Sequence, residues 1–142
     1  MSTLALFNAV EARLKAIVES VIGAGRVDIG MYMPRTQFPR AQIYAEEVMA
    51  TDVTINMRTV RHTWFFNIVI EHVSGDAKAG YEEMKRLFWE VHDTIMRNRT
   101  LDLDVLATPA VDSRLESGTT EDNRYGFRWW MRVAVRVSEL SP

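Results

Sequence analysis

The sequence predicts an α+β domain with a four-stranded, mainly antiparallel sheet and two amphipathic helices on one face, in the order αββαββ. Three observations predict it. Two stretches repeat apolar residues every three or four positions, as a half-buried helix does. Two central runs, RAQIYAEEV and TVRHTWFFNIVIEHV, alternate with strong β formers. The last apolar run, Tyr125 to Val137, keeps a period of two over its whole length.

The first helix begins near Thr3, with Ser2 or Thr3 as N-cap. Leu4, Phe7, Val10, Leu14, Ile17, Val18 and Val21 form its stripe, and Gly23 and Gly25 end it. Ordering about 20 backbones costs more than burying seven such side chains returns, so this helix must pack on something. Between Arg26 and Pro39, Gly30, Pro34 and Pro39 interrupt every pattern, which predicts a loop. Two strands of a hairpin follow.

Their link, Met49 to Arg58, is long for a hairpin, and Val53, Ile55 and Met57 alternate within it. A projecting hairpin arm is the expectation. Ser74-Gly75-Asp76 then ends the strand, and Asp76 caps a second helix carrying Tyr81, Met84, Leu87, Phe88, Val91 and Ile95 on one stripe as far as Arg99. Val105 to Glu116 reads as a third strand broken by Pro109, and Ser117 to Asn123 as a polar turn.

The fourth strand places Tyr125, Phe127, Trp129, Met131, Val133, Val135 and Val137 on one face. Arg124, Arg128, Trp130, Arg132 and Arg136 fall on the other. A helix would scatter those seven apolar residues around its circumference, so a strand is preferred. The 142 residues fit one domain with one core, spanning 1–142.

Composition excludes several function classes. The formal net charge is −2 with both signs interspersed, which gives no reason for non-specific binding to nucleic acid or anionic lipid. Absence of cysteine removes disulfides, thiolate catalysis and sulfur-based zinc sites, and is compatible with a reducing cytoplasm. Glu11, Arg13, Lys15 and Glu19 interrupt the first apolar stretch, so no signal peptide is expected, and no run of about 18 apolar residues predicts a membrane span.

No residue set predicts catalysis, a cofactor site or a metal site. His62 and His72 lie about 33 Å apart on a straight strand, and His92 has no histidine three or four residues away. No GxSxG elbow occurs, and Gly23, Gly25 and Gly30 follow a helix without the Lys-Ser/Thr pair of a phosphate loop. Glu46 and Glu47 point to opposite faces of a strand. Asp102 and Asp104 can converge, though ordinary surface statistics favour acidic residues of a polar turn. An enzyme is therefore not expected.

The arginine row carries the functional weight. Arg124, Arg128, Arg132 and Arg136 repeat about every 13 Å on one face, with Trp130 among them. Such a face is a solvated surface whose arginine stems cover the indole, a subunit interface, or a nucleic-acid surface, the last disfavoured by the acidic overall balance.

Taken together, the apolar helix ending near Gly23, the arms AQIYAEEV and RHTWFFNIVIEHV, the helix EEMKRLFWEVHDTIMRN followed by TLDLDV, and the closing RYGFRWWMRVAVRV resemble the tail terminator family of long-tailed bacteriophages and related tail-like particles. The likeness spans nearly the whole chain and rests on element order and texture. It departs where Leu103 and Asp104 follow the second helix, since family members commonly carry glycines there.

The resemblance implies a virion structural protein of the tail and neck, assembled in the host cytoplasm. Such a protein forms a homo-oligomeric, hexameric ring that caps the tail tube, stops its growth and docks the head. Implied partners are the tail tube protein, head-tail connector and neck proteins, a sheath protein, and DNA passing through the ring lumen, with no membrane. The residues expected to make contact are Thr51, Asp52, Val53, Ile55, Met57 and Arg58 on the arm, and Arg128, Trp130, Arg132 and Arg136 on the last strand. Alternatives are another head-tail joining or tail-completion protein, or a small ligand-binding or enzymatic α+β domain with a polar pocket.

Overall fold

Ser2 accepts a hydrogen bond from the Ala5 N–H through its hydroxyl at 3.1 Å and starts α1, Thr3–Ile22. The computed structural model describes residues 2–30, 37–53, 60–110 and 114–140. Leu6, Val10, Leu14, Val18 and Ile22 are the buried stripe of α1. Phe7, Ile17 and Val21 pack beside it, while Leu4, expected inside, is exposed. Gly23 closes the helix at φ 117°, where a side chain would be strained.

Seven further elements follow: β1 Val27–Ile29, β2 Arg40–Val53, β3 Val60–Ser74, α2 Ala77–Arg97, β4 Val105–Pro109, β5 Leu115–Thr119 and β6 Tyr125–Leu140. All strands join one mixed sheet in the order β1-β2-β3-β6-β4, with β5 also on β6. The expected α+β class holds, but the four-stranded, mainly antiparallel αββαββ arrangement is corrected in two places.

The first correction is β1. It lies in the predicted loop and pairs parallel to β2, Val27 beside Ala41 and Ile29 beside Ile43. Three residues are too few to show a period, and Val27 earns its strand geometry only from burial beneath α1 and alongside β2. The second is the expected third strand, which is two strands. β4 pairs with residues 133–137 of β6 and β5 with residues 125–129, so they lie end to end along one edge. Ser117, Gly118 and Thr119, read as turn residues, are therefore strand, because β6 offers a partner along its full length.

The hairpin is also longer than expected. Met49, Ala50, Asp52 and Val53 of the predicted link pair with Thr63, His62, Arg61 and Val60 of β3, with bulges between Ala45 and Glu47 and between Ala50 and Asp52. Val60 pairs in turn with Leu140, so β6 accompanies this end. The remainder of the predicted arm, with Ile55, Met57 and Arg58, lies outside the described residues.

One core fills the space between the sheet and both helices. Trp64, Phe66, Ile68 and Ile70 of β3, Met131, Val133, Val135 and Val137 of β6, and Met84, Leu87, Phe88, Val91 and Ile95 of α2 belong to it. Asp76 caps α2, accepting from the Lys78 and Ala79 N–H groups. Tyr81 and Tyr125, like Leu4, miss the predicted core and are exposed. Gly80 takes the buried place, close under Phe127 and Ser74. After α2, which ends two residues earlier than expected, Leu101 and Asp102 adopt φ of 53° and 55°. The buried Leu101 side chain anchors this left-handed turn.

Candidate interaction surface

Because both helices cover one side of the sheet, the other side is left without a layer of secondary structure among the described residues. Its side chains form cross-strand rows. Arg40, Glu71, Arg128 and Glu116 make one, running β2, β3, β6, β5. Gln42, Val69 and Trp130 make the next, then Tyr44, Asn67 and Arg132. Thr63, Arg136 and Leu106 lie further along.

The rows are tied by ion pairs. Glu71 Oε2 accepts from Arg128 Nη2 at 3.1 Å and lies 3.4 Å from Arg40 Nη2, with Arg40 and Glu71 largely buried. Arg132 Nε reaches Glu46 Oε2 at 3.1 Å, and its guanidinium carbon sits 4.1 Å from the centre of the Phe65 ring. Trp130 is flanked by Arg114 and Arg128 at 5.3 and 5.8 Å, close enough for cation–π attraction. Beneath it Val69 is buried although it faces away from the helices. Most of the positive charge is thus neutralised or stacked within the chain. Arg136 differs: it is exposed, with no ion-pair partner among the described residues.

The predicted contact residues Arg128, Trp130, Arg132 and Arg136 do share this face, on alternate positions of β6. Thr51, Asp52 and Val53 lie in the far half of β2, on the hairpin strand beside β3. Sequence reasoning missed Glu71, Glu46 and Phe65, whose roles come from register between strands distant in sequence. The alternation of β3 was the available signal, since it puts Glu71 and Phe65 on the face opposite Trp64 and Ile70.

Two shallow depressions mark the surface. One of about 410 Å³ is lined by Arg40, Glu71, Glu116 and Arg128 together with Gly118 and Gly126, which pair with each other. Another of about 330 Å³ lies between Tyr44, Val69 and Trp130. Among the described residues no group of three His, Asp or Glu side chains is placed to hold a metal ion. His92 Nδ1 sits 3.0 Å from Asp93 on the surface of α2. His72 is half-buried at the end of β3, and burial lowers its pKa below 6.5, partly opposed by the nearby Glu83 carboxylate. No helix among the described residues is long and apolar enough to cross a membrane.

What this arrangement can do chemically is present a rigid, salt-bridged plane of planar cations and aromatic rings. Comparison with protein-family models and with curated proteins finds no match for this sequence.

Proposed function

We propose that this chain is a structural virion assembly protein of the tail terminator type, closing into a ring that caps the phage tail tube, stops its polymerisation and provides the docking surface for the head or its connector. The observation that carries this reading is the uncovered sheet face, where Arg128, Trp130, Arg132 and Arg136 stand on the long β6 strand in a pre-organised Arg-aromatic layer. Arginine and tryptophan are enriched at protein interfaces, and a layer already held by internal ion pairs loses little side-chain entropy on docking. The element order α, hairpin, α, closing aromatic strand adds the resemblance.

In this reading the activity is geometric, with no bond made or broken. A head-to-tail contact closes when its rotation divides the circle, one ring face matches the last tube ring, and the other presents a different surface, so growth stops. The arginine face serves contacts between subunits. The far end of the hairpin, with Thr51, Asp52 and Val53, serves contacts with neighbouring rings.

Native mass measurement and negative-stain imaging of the purified protein, with and without tail tubes, test the proposal. Rings of about six subunits on tube ends are expected, and Arg132→Glu should abolish them. A stable monomer that binds no tube would overturn it in favour of a ligand-binding domain.

A further inference from the structure

The two margins of the sheet are built differently from its face, and they are complementary to each other. Among the described residues the exposed large apolar side chains are Leu4 on α1, Ile29 on β1, Tyr81, Trp89 and Met96 on α2, Leu106 on β4 and Tyr125 on β6. On the uncovered face Val69 is buried and Trp130 is flanked by arginines, while Leu106, on the β4 edge, is exposed.

Backbone hydrogen bonding at those edges is unequal. Along β4, the hydrogen bond from the Ala110 N–H to Arg132 O turns Ala110, Thr108 and Leu106 toward β6, and hence Ala107 and Pro109 outward. That half is shut. Ala107 N–H donates to Arg99 O at 2.7 Å, Arg99 Nε donates to Ala107 O at 3.1 Å, and Pro109 has no N–H to offer.

Along β5 the bonds from Thr120 N–H to Arg124 O and from Trp130 N–H to Arg114 O turn Glu116 and Gly118 inward, so the N–H and C=O groups of Leu115, Ser117 and Thr119 point outward. No backbone partner meets them among the described residues. Beside this open half, Tyr81, Ser117, Gly118, Thr119, Tyr125 and Phe127 line a groove of about 370 Å³.

The opposite margin has the matching form. Ala41 N–H donates to Arg26 O and Gly30 N–H to Ile43 O, so Arg26 and Gly30 face β2 while Val27 and Ile29 turn their backbone groups outward. The flanking helices differ in net charge, although Lys15 lies 3.7 Å from Glu19 and Lys85 3.0 Å from Glu82 within the chain. Tyr81, Lys85, Trp89, His92 and Met96 form one flank of α2, on the side where Tyr81 meets Phe127 and Trp89 meets Trp129, with the exposed Lys78 beside them. On α1, Arg13 reaches Asp102 across the α2 side at 3.9 Å, which leaves Leu4, Asn8, Glu11, Lys15 and Glu19 on the flank toward β1. Glu11 there is partly buried, and no partner meets its carboxylate among the described residues. Its pKa is raised by desolvation.

We infer that the open β5 edge and its α2 flank receive the β1 edge and α1 flank of a second copy of this chain, continuing the sheet from subunit to subunit. This rests on the ring reading for its occupant and adds a margin contact to the arginine face. Main-chain bonds from Leu115, Ser117 and Thr119 give the strand addition. Leu4 and Ile29 cover the Tyr81, Trp89 and Tyr125 shelf, and Glu11 and Glu19 meet Lys78 and Lys85. The contact is head-to-tail because the two margins are different surfaces, and Arg99 and Pro109 limit it to one half of the edge.

Two margin variants test it. Trp89→Glu places a carboxylate against the acidic α1 flank, and Leu4→Lys places a cation against the basic α2 flank. Both positions are exposed, and far-UV circular dichroism and a thermal melt of each variant establish that it is folded before its mass is read. Ser117→Pro, which removes an outward N–H and no bond to β6, is a third. Native mass of each should show loss of the wild-type oligomer, with apparent dissociation constants at least about tenfold weaker. An equimolar mixture of Trp89→Glu and Leu4→Lys retains one intact interface and should recover at least a dimer. Wild-type oligomers in all three variants, or no dimer in the mixture, overturn the margin contact, while the ring reading survives if Arg132→Glu alone disperses the ring. A monomeric wild-type protein defeats the ring reading itself.

Discussion

Arg99 stands across the edge of β4 from Ala107, its carbonyl accepting the Ala107 N–H at 2.7 Å and its Nε donating to the Ala107 carbonyl at 3.1 Å, with Nη2 on Thr108 Oγ1 at 2.8 Å. One residue thus satisfies both outward groups of Ala107, in the middle of a strand edge that would otherwise be a template for further pairing. Arg99→Ala keeps the backbone bond and loses the two side-chain bonds. A stability loss of about 1 to 2 kcal/mol in urea unfolding is expected, with faster hydrogen exchange at the Ala107 amide. Unchanged exchange there would show that the guanidinium does not hold the edge.

Gly80 is buried on α2 for want of room. A Cβ there would lie 2.6 Å from Phe127 Cε2 and 2.8 Å from the Ser74 Cβ, both too close without movement of packed groups. Replacing glycine inside a helix with alanine ordinarily stabilises by about 1 kcal/mol. Overpacking of this kind costs about 1 to 3 kcal/mol and should win, so Gly80→Ala is expected to lower the thermal midpoint. A raised midpoint would mean that the Phe127 ring yields freely.

Glu71 joins Arg40 of β2 to Arg128 of β6 across the central strand, and Arg40 and Glu71 are both largely withdrawn from water. Glu71→Gln leaves the Arg40 guanidinium without its carboxylate. A cost of about 2 to 4 kcal/mol is expected, since the largely buried Arg40 guanidinium loses the Glu71 carboxylate. Arg128→Gln, at the exposed end of the same bridge, should cost under about 1 kcal/mol. Equal effects in a urea titration would contradict this division.

His72 makes stability depend on pH. Burial holds its folded pKa below the ordinary 6.5, against a smaller upward pull from Glu83. As pH falls below 6.5 the unfolded chain takes up the proton first, so stability is lost between 6.5 and the folded pKa and is unaffected above that window. Urea midpoints of wild type at pH 7.5 and 5.5 should differ in that direction, and His72→Gln should reduce the difference. An equal pH dependence in both proteins would exclude His72 as the source.

Local patterning made much of the fold legible. The caps Ser2 and Asp76, the stripe of α2 from Met84 to Ile95, and the alternation of Trp64, Phe66, Ile68 and Ile70 are short-range signals, set by side-chain period and by the hydrogen-bonding capacity of single residues. The same alternation placed Arg128, Trp130, Arg132 and Arg136 on one face of β6. Val27 and Ser117 carried no such signal. A three-residue strand and a strand of Ser, Gly and Thr take their geometry from a neighbour far away in sequence, and turn chemistry was the only local guide.

By itself, then, the sequence determined the two helices, the hairpin, the closing strand and which of its faces is apolar, because burial of a periodic side is decided within a few residues. Tertiary structure alone decided that Glu71 and Glu46 take up the charge of Arg128 and Arg132 and that, among the described residues, Arg136 is left over and Ala107 of β4 is capped while β5 is open. Register between strands fixes those relationships. Register is a property of pairs of segments, set by long-range packing of the whole sheet against α1 and α2.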